Sequence, residues 1–308
     1  MNGMELARRF YAGIALPAFQ RQASDLLPEL AWGLVGPGSE CYGLDDEISR
    51  DHDWGPRVCV WVSEPVFEQE GERLARIYDS LDTTFLGYGP IRRLDPRFPR
   101  DGVMSTERFY RTYLGTAEPP ATLRDWLLFP EEALSLCTNG EVFADPRGEF
   151  SRMRDTLLGY FPRDLWLKKI ASRCKAAARH GQYNLTRARK RADSLTALYH
   201  TAQFAREASA LTCLLYRTYR TVDKWLFAGL LQLGDLGSVI HHHLALLADV
   251  ANESAAQSAV EECATALVDR MFDLKLITRR CSFLWECGTD IERSIEEATL
   301  RDGLDMID

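Results

Sequence analysis

No proline follows Pro162, although the chain runs on to Asp308 and holds 13 prolines in all. Proline in a helix interior costs about 3 kcal/mol, so its absence leaves the C-terminal half free to form long helices. No C-x-x-C occurs among the eight cysteines (positions 41, 59, 137, 174, 213, 263, 281 and 287), which speaks against a zinc knuckle or a dithiol redox motif. Positive charge is in deficit. The 37 Lys and Arg against 45 Asp and Glu leave a net charge of −8, a poor surface for general contact with nucleic acid or anionic membrane. No apolar run reaches the roughly 18–20 residues that a membrane-crossing helix needs. The N-terminal MNGMELARRFYAGIALPAF mixes charges into an amphipathic pattern unlike a signal peptide. These absences lead to the expectation of a cytoplasmic protein with reduced thiols. Hydrophobic residues make up 46% of 308, enough for a sizeable core and two domains.

The most informative stretch runs from Gly36 to Val62. Apolar β-branched runs flank it, Leu34-Val35 before and Val58, Val60 and Val62 after, so strands are expected at 31–36 and 58–62. Gly38-Ser39 then closes one strand, and Asp51-His52-Asp53 precedes the next. A Gly-Ser turn lets backbone N–H groups approach a phosphate closely and adds a hydroxyl donor. Two carboxylates at i, i+2 on an extended segment point to one side, and His52 between them points to the other. Such a pair suits Mg²⁺ or Mn²⁺, which binds through one or two carboxylates together with substrate phosphates and water. A lone D-x-D is common on surface loops. The Gly-Ser pair upstream is what raises this one above that background. Asp45-Asp46-Glu47 reads as a solvated acidic loop.

With these residues in view, the chain resembles the nucleotidyltransferase superfamily that includes DNA polymerase β and the aminoglycoside nucleotidyltransferases. It is more closely similar to a bacterial family of uncharacterised nucleotidyltransferase-like proteins built on a domain of unknown function. Gly38 to Arg57 carries most of the likeness, as GSE, DDE and SRDHDWGPR. It continues in Phe85-Leu86-Gly87-Tyr88, Phe109-Tyr110-Arg111-Thr112-Tyr113-Leu114-Gly115, Trp126 to Glu131, Gly140 to Phe143, Gly159 to Trp166 and Asp223-Lys224-Trp225-Leu226. The resemblance implies metal-dependent transfer of NMP from an NTP, with ATP the expected donor, to a hydroxyl-type acceptor on a small molecule. It also implies a third carboxylate on a later strand. In Asp101 to Glu107 that position is occupied by Met104, which leaves Asp101 and Glu107 as candidates. Without a third acid the expectation shifts to a nucleotide-binding sensor or regulatory module. Modification of protein or tRNA by the same chemistry is a lesser reading.

The expected architecture is α+β: a small mixed-sheet nucleotidyltransferase core at 1–115, a connecting segment at 116–162 and a helical bundle at 163–308. In the core, helices over 4–30 break at Pro17, a helix spans 68–80, a Pro- and Arg-rich loop spans 81–100, a strand lies at 102–105 and a helix at 106–114. Arg57 is read as paired with an acid or touching phosphate, and Glu40 as capping a helix start. In the bundle, Lys224 reads as a phosphate contact and Tyr219 as a partner for base or acceptor, against a helix-end lysine paired with Asp223 or solvent, with Trp225 in the core. Lys168, Lys169, Arg173 and Lys175, like Arg187 to Arg191, read as solvated faces. Adjacent residues of His241-His242-His243 point about 100° apart on a helix and cannot all ligate one ion.

Overall fold

The computed structural model describes residues 1–94, 100–248 and 253–303, with the backbone alone at 253–256. The chain divides into two units, Met1–Gly159 and Tyr160–Asp308. The architecture is α+β, with a small mixed sheet in the first unit and helices making up the second.

In the first unit, α1 (Gly3–Phe10) passes through a π turn, Tyr11–Ala15, into α2 (Leu16–Gln22). Pro17 does not break this path. The turn before it is π-helical, with the Leu16 N–H donating to the Tyr11 carbonyl, and the helix runs on through Pro17 to Gln22. Then come β1 (Ala31–Leu34), β2 (Cys59–Val62), α3 (Glu64–Asp79), β3 (Gly102–Ser105), α4 (Thr106–Leu114), α5 (Leu123–Leu127), α6 (Glu131–Thr138), β4 (Glu141–Ala144) and α7 (Glu149–Leu158). The helix expected at 68–80 starts earlier because Pro65 is accommodated in its first turn. The loop expected at 81–100 is irregular through Leu94, and its positions 95–99 lie outside the described residues.

The strands lie in the order β3-β2-β1-β4. β1 runs antiparallel to β2 and to β4, while β2 and β3 are parallel. All four residues of β2, CVWV, are buried, as helices on both faces require. Trp32, Val60 and Val62 pack with Phe10 and Phe19 of the N-terminal helices and Leu74, Ile77 and Tyr78 of α3. On the other side Trp61 stacks on Phe150 of α7, with ring centroids 3.8 Å apart, and meets Phe109 of α4 edge-on at 5.8 Å.

The second unit comprises α8 (Arg163–Ala177), a π-helical stretch at Ala178–Leu185, α9 (Thr186–Lys190), α10 (Ser194–Leu215), α11 (Leu226–Leu230), α12 (Gly234–Ala248), α13 (Glu253–Asp273), α14 (Leu284–Glu292) and α15 (Ala298–Arg301). The apolar pattern of this half also predicts a helix over 237–250, whose positions 249 and 250 lie outside the described residues. Two expectations change here. The basic residues of α8 are not a solvated face: Lys168 is 0% exposed, Arg173 1% and Lys169 5%. Helix α8 is central, flanked by α10 and α14, and Lys168, Arg173 and Lys175 find carboxylates on those neighbours. Lys168 Nζ donates to Glu292 Oε1 at 2.7 Å and to the Gly303 carbonyl at 2.9 Å. Lys175 pairs with the same Glu292, and Arg173 donates to Glu207 at 2.8 Å. The second change concerns the thiols. Cys281 and Cys287 form a disulfide, brought to a Cα separation of 6.4 Å by the turn into α14, while the other six cysteines are free and buried.

Candidate functional site

Sheet topology gathers the sequence-derived site. Gly33 of β1 stands opposite Cys59 at the start of β2, Cys59 stands beside Gly102 at the start of β3, and Leu34 at the end of β1 faces Glu141 at the start of β4. The segment after β1 and the segments before β2, β3 and β4 therefore share one end of the sheet. They carry Gly38-Ser39, Asp51 to Arg57, Arg100-Asp101 and Asn139-Gly140.

The turn after β1 is held by the segment before β4. Gly36, at φ +115°, has no Cβ to strain there. Its N–H donates to Asn139 Oδ1 at 2.9 Å, and Asn139 Nδ2 donates back to the Gly36 carbonyl at 2.9 Å. The Gly140 N–H donates to the Cys41 carbonyl at 2.7 Å. A 3₁₀ turn at Glu40–Tyr42 follows.

Beneath this turn lies a buried ion pair. Arg57 is 1% exposed and Glu40 3%. Arg57 Nε donates to Glu40 Oε1 at 3.0 Å and Nη2 donates to the same oxygen, while Nη1 donates to the Arg100 carbonyl at 3.1 Å. Of the two sequence readings of Arg57, pairing with an acid is the one formed, and Glu40 serves that pair rather than a helix cap. Gly38 is needed for the same reason. A Cβ there would lie 2.8 Å from Glu40 Oε2 and 2.9 Å from Arg57 Nη2. Among the described residues, the N–H groups of Gly38 and Ser39 and the Ser39 hydroxyl make no hydrogen bond.

The D-x-D segment is not extended. Asp51 ends a 3₁₀ turn, Ile48–Asp51, and Asp53 is left-handed at φ +49°. The Asp51 side chain is 60% exposed, with Oδ1 2.6 Å from His52 Nδ1, so His52 leans on an aspartate instead of pointing away. Asp53 knits the loop: its N–H donates to the Arg92 carbonyl at 2.7 Å, its Oδ1 accepts from the Leu94 N–H at 3.2 Å, and its Oδ2 lies 3.5 Å from Arg100 Nε.

The two third-acid candidates stand at opposite ends of β3. Asp101, 3% exposed, is at the end that carries Asp53. Its Oδ2 accepts from the Tyr78 hydroxyl at 2.7 Å and from Arg93 Nη2 at 3.0 Å, and its Oδ1 accepts from Arg93 Nη1. Burial pushes this carboxyl up, but the Arg93 hydrogen bonds and the Arg57 charge outweigh it and hold the group below the ordinary aspartate value. Beside it, burial pushes the Cys59 thiol up to about 12, so this cysteine is inert as a nucleophile. Glu107 is at the far end, where its Oε2 accepts from the Glu64 N–H at 2.8 Å and from the Ser105 hydroxyl at 3.2 Å. It lines a separate cleft of about 550 Å³ with Ser63, Arg147 and Glu149.

Tyr219 and Lys224 belong to the second unit. Tyr219 is buried, its ring 4.7 Å from Tyr160 and 5.2 Å from Phe161, which is a core position. Lys224 is exposed in the 3₁₀ turn Asp223–Trp225, with Nζ 5.0 Å from the Trp225 ring centroid. Asp223 pairs with Arg220 at 2.8 Å.

Sequence reasoning missed Arg93, Arg100, Tyr78 and Asn139. No local spacing marks them, because Tyr78, Arg100 and Asn139 meet partners far away in the sequence and Arg93 sits in an irregular loop. The only available signal was the arginine content of the 81–100 loop beside an acidic motif.

Among the described residues, no group of three or more His, Cys, Asp or Glu is placed to hold a metal ion. Asp51 and Asp53 are the acids whose donor chemistry suits Mg²⁺, an ion that needs only one or two carboxylates when phosphates and water complete its shell. In the comparisons with known proteins, residues 126–226 match the family described as a domain of unknown function, DUF4037. No curated protein and no solved structure matches the chain. The matched stretch starts in α5 and ends at the first residue of α11, so it includes Tyr219 and Lys224 but neither Gly38-Ser39 nor Asp51 and Asp53.

Proposed function

We propose that the end of the sheet bearing Gly38-Ser39 binds the triphosphate of a nucleotide and that the protein transfers NMP to a hydroxyl-type acceptor on a small molecule. One observation carries this reading: strand pairing brings the unengaged donors of the Gly38-Ser39 turn to the same sheet end as Asp51, Asp53 and Arg100. The Gly38 and Ser39 N–H groups and the Ser39 hydroxyl would receive phosphate oxygens. Arg100, held at 3.5 Å by Asp53, is a guanidinium that a phosphate can compete for. Its release would leave both Asp51 and Asp53 to hold Mg²⁺ or Mn²⁺. A bound metal would neutralise the phosphates and orient them for in-line displacement. The Glu40–Arg57 pair supports the turn from below without touching substrate.

A second reading is favoured by Asp101. Both its oxygens are taken by Arg93 and Tyr78, which leaves the acceptor hydroxyl without an evident general base. On that reading the protein binds nucleotide as a sensor or regulatory module and does not transfer it.

The test is label transfer from each α-labelled NTP, with Mg²⁺ or Mn²⁺, to components of a cell extract, beside direct NTP binding. Transfer that is lost in the Asp51→Ala/Asp53→Ala double variant supports the enzyme. Metal-dependent binding without transfer supports the sensor. No NTP binding under any of these conditions overturns both.

A further inference from the structure

The second unit contains a cleft that the reading of the first does not use. It lies between α9, α10, α11 and α12 and has a volume of about 530 Å³, within the ordinary size of a small-molecule site, about 300–1,000 Å³. Its walls are mostly apolar, with Leu198 from α10, Phe227 from α11, and Leu244 and Leu247 from α12. Leu198 is 61% exposed and Phe227 43%, so the apolar surface continues to the mouth. Among the described residues no Asp or Glu lines the cleft, whereas Arg189 of α9 does, with His241.

Arg189 gives the cleft its chemistry. Its Nη1 is buried and has no hydrogen-bond partner among the described residues. A buried guanidinium nitrogen without an acceptor is unfavourable, because the water it lost has not been replaced. The buried cations Lys168 and Arg173 of the same unit are each matched by a carboxylate. Among the described residues, an apolar cavity with one incompletely paired guanidinium and no carboxylate suits a ligand of complementary build: an apolar body ending in an anionic oxygen group. We propose that the second unit binds an apolar organic carboxylate here, with the carboxylate on Arg189 and the hydrocarbon along Leu198, Phe227 and Leu244.

The experiment uses the full chain and three probes of equal chain length below their micelle concentrations: decanoate, decanol and decyltrimethylammonium. Binding is followed by calorimetry. Decanoate is expected to bind at least tenfold more tightly than decanol and more tightly still than the cation. Arg189→Met keeps an unbranched apolar side chain and removes the charge. It should weaken decanoate about tenfold, the equivalent of about 1.4 kcal/mol, and leave decanol unchanged. Ala202→Trp, which fills the wall of the cleft, should weaken both, with the helical circular dichroism of each variant matching the parent. Equal binding of decanoate and decanol, no loss in Arg189→Met, or no decanoate binding would each overturn the proposal. It does not depend on nucleotide binding by the first unit, which is measured separately.

Discussion

At Gly38 a single hydrogen in place of a side chain decides whether the turn after β1 can close over the Glu40–Arg57 pair. A methyl group there would have to share space with atoms 2.8 and 2.9 Å away, and both belong to side chains pinned by hydrogen bonds. Gly38→Ala should therefore destabilise by about 1–3 kcal/mol, the range for overpacking a buried site, and urea unfolding will measure it. A loss below about 0.3 kcal/mol would mean that the pair yields easily. Elsewhere, a histidine pair makes stability depend on pH. His180 and His200 face each other with Nδ1 atoms 2.9 Å apart. Desolvation lowers both pKa values, and the neighbouring His200 lowers that of His180 further. Both rings bind protons less readily in the folded chain than in the unfolded one, so their contribution is complete above about pH 6.5 and is lost as pH falls through the depressed folded values. Thermal unfolding followed from pH 7.5 to 5 should show a falling midpoint, and His200→Gln should flatten that fall. An unchanged slope in the variant would remove the pair from the cause.

Helix α8 shows how an element can defeat its own sequence. Lys168, Lys169, Arg173 and Lys175 lie so close together that they read as a wetted surface, yet the first three are buried. The acids that match Lys168, Arg173 and Lys175, namely Glu207 and Glu292, come from α10 and α14, far along the chain. Periodicity reports which residues share a face, not which faces a later helix will cover. Glu292 matches two lysines at once and is the key acid of this element. Glu292→Ala should cost about 3–5 kcal/mol, as for a buried ion pair that loses one partner. Lys168→Met should be nearly neutral, since it removes a buried charge, fills the same space and leaves Glu292 with Lys175. Chemical denaturation of both variants tests the asymmetry, and equal losses would refute it. By contrast, the β3–α4 segment was legible. Gly102–Ser105 and Thr106–Leu114 match the ranges expected from the residues, because Ser105 is a recognisable N-cap that accepts from the Arg108 N–H.

On the scale of the whole molecule, the place where proline stops helped to separate a sheet-bearing part from a helical one, since helix interiors exclude that residue. The sequence could not foresee that the turn around Asp51 to Asp53 would depart from a strand, because the left-handed Asp53 is stabilised by Arg92, Leu94 and Arg100, contacts made across a loop. That arrangement supports a prediction for the intact chain. If the first unit holds a nucleoside triphosphate, ligand at 100 times its Kd adds about 2.7 kcal/mol of stability. The gain should be local in origin. Amide exchange should slow at Gly36 to Tyr42 and at Asp51 to Arg57, where the turn donors and carboxylates lie, and the Asp51→Ala/Asp53→Ala variant should lose the metal-dependent part of that protection. Arg100 is expected to leave Asp53 as phosphate arrives, so Arg100→Met should weaken nucleotide binding while leaving the unfolding free energy of the unliganded chain within about 0.5 kcal/mol of the parent, as for a partly exposed pair. Protection confined to α8 through α15 would place the nucleotide in the second unit and remove the Gly38-Ser39 turn from its binding.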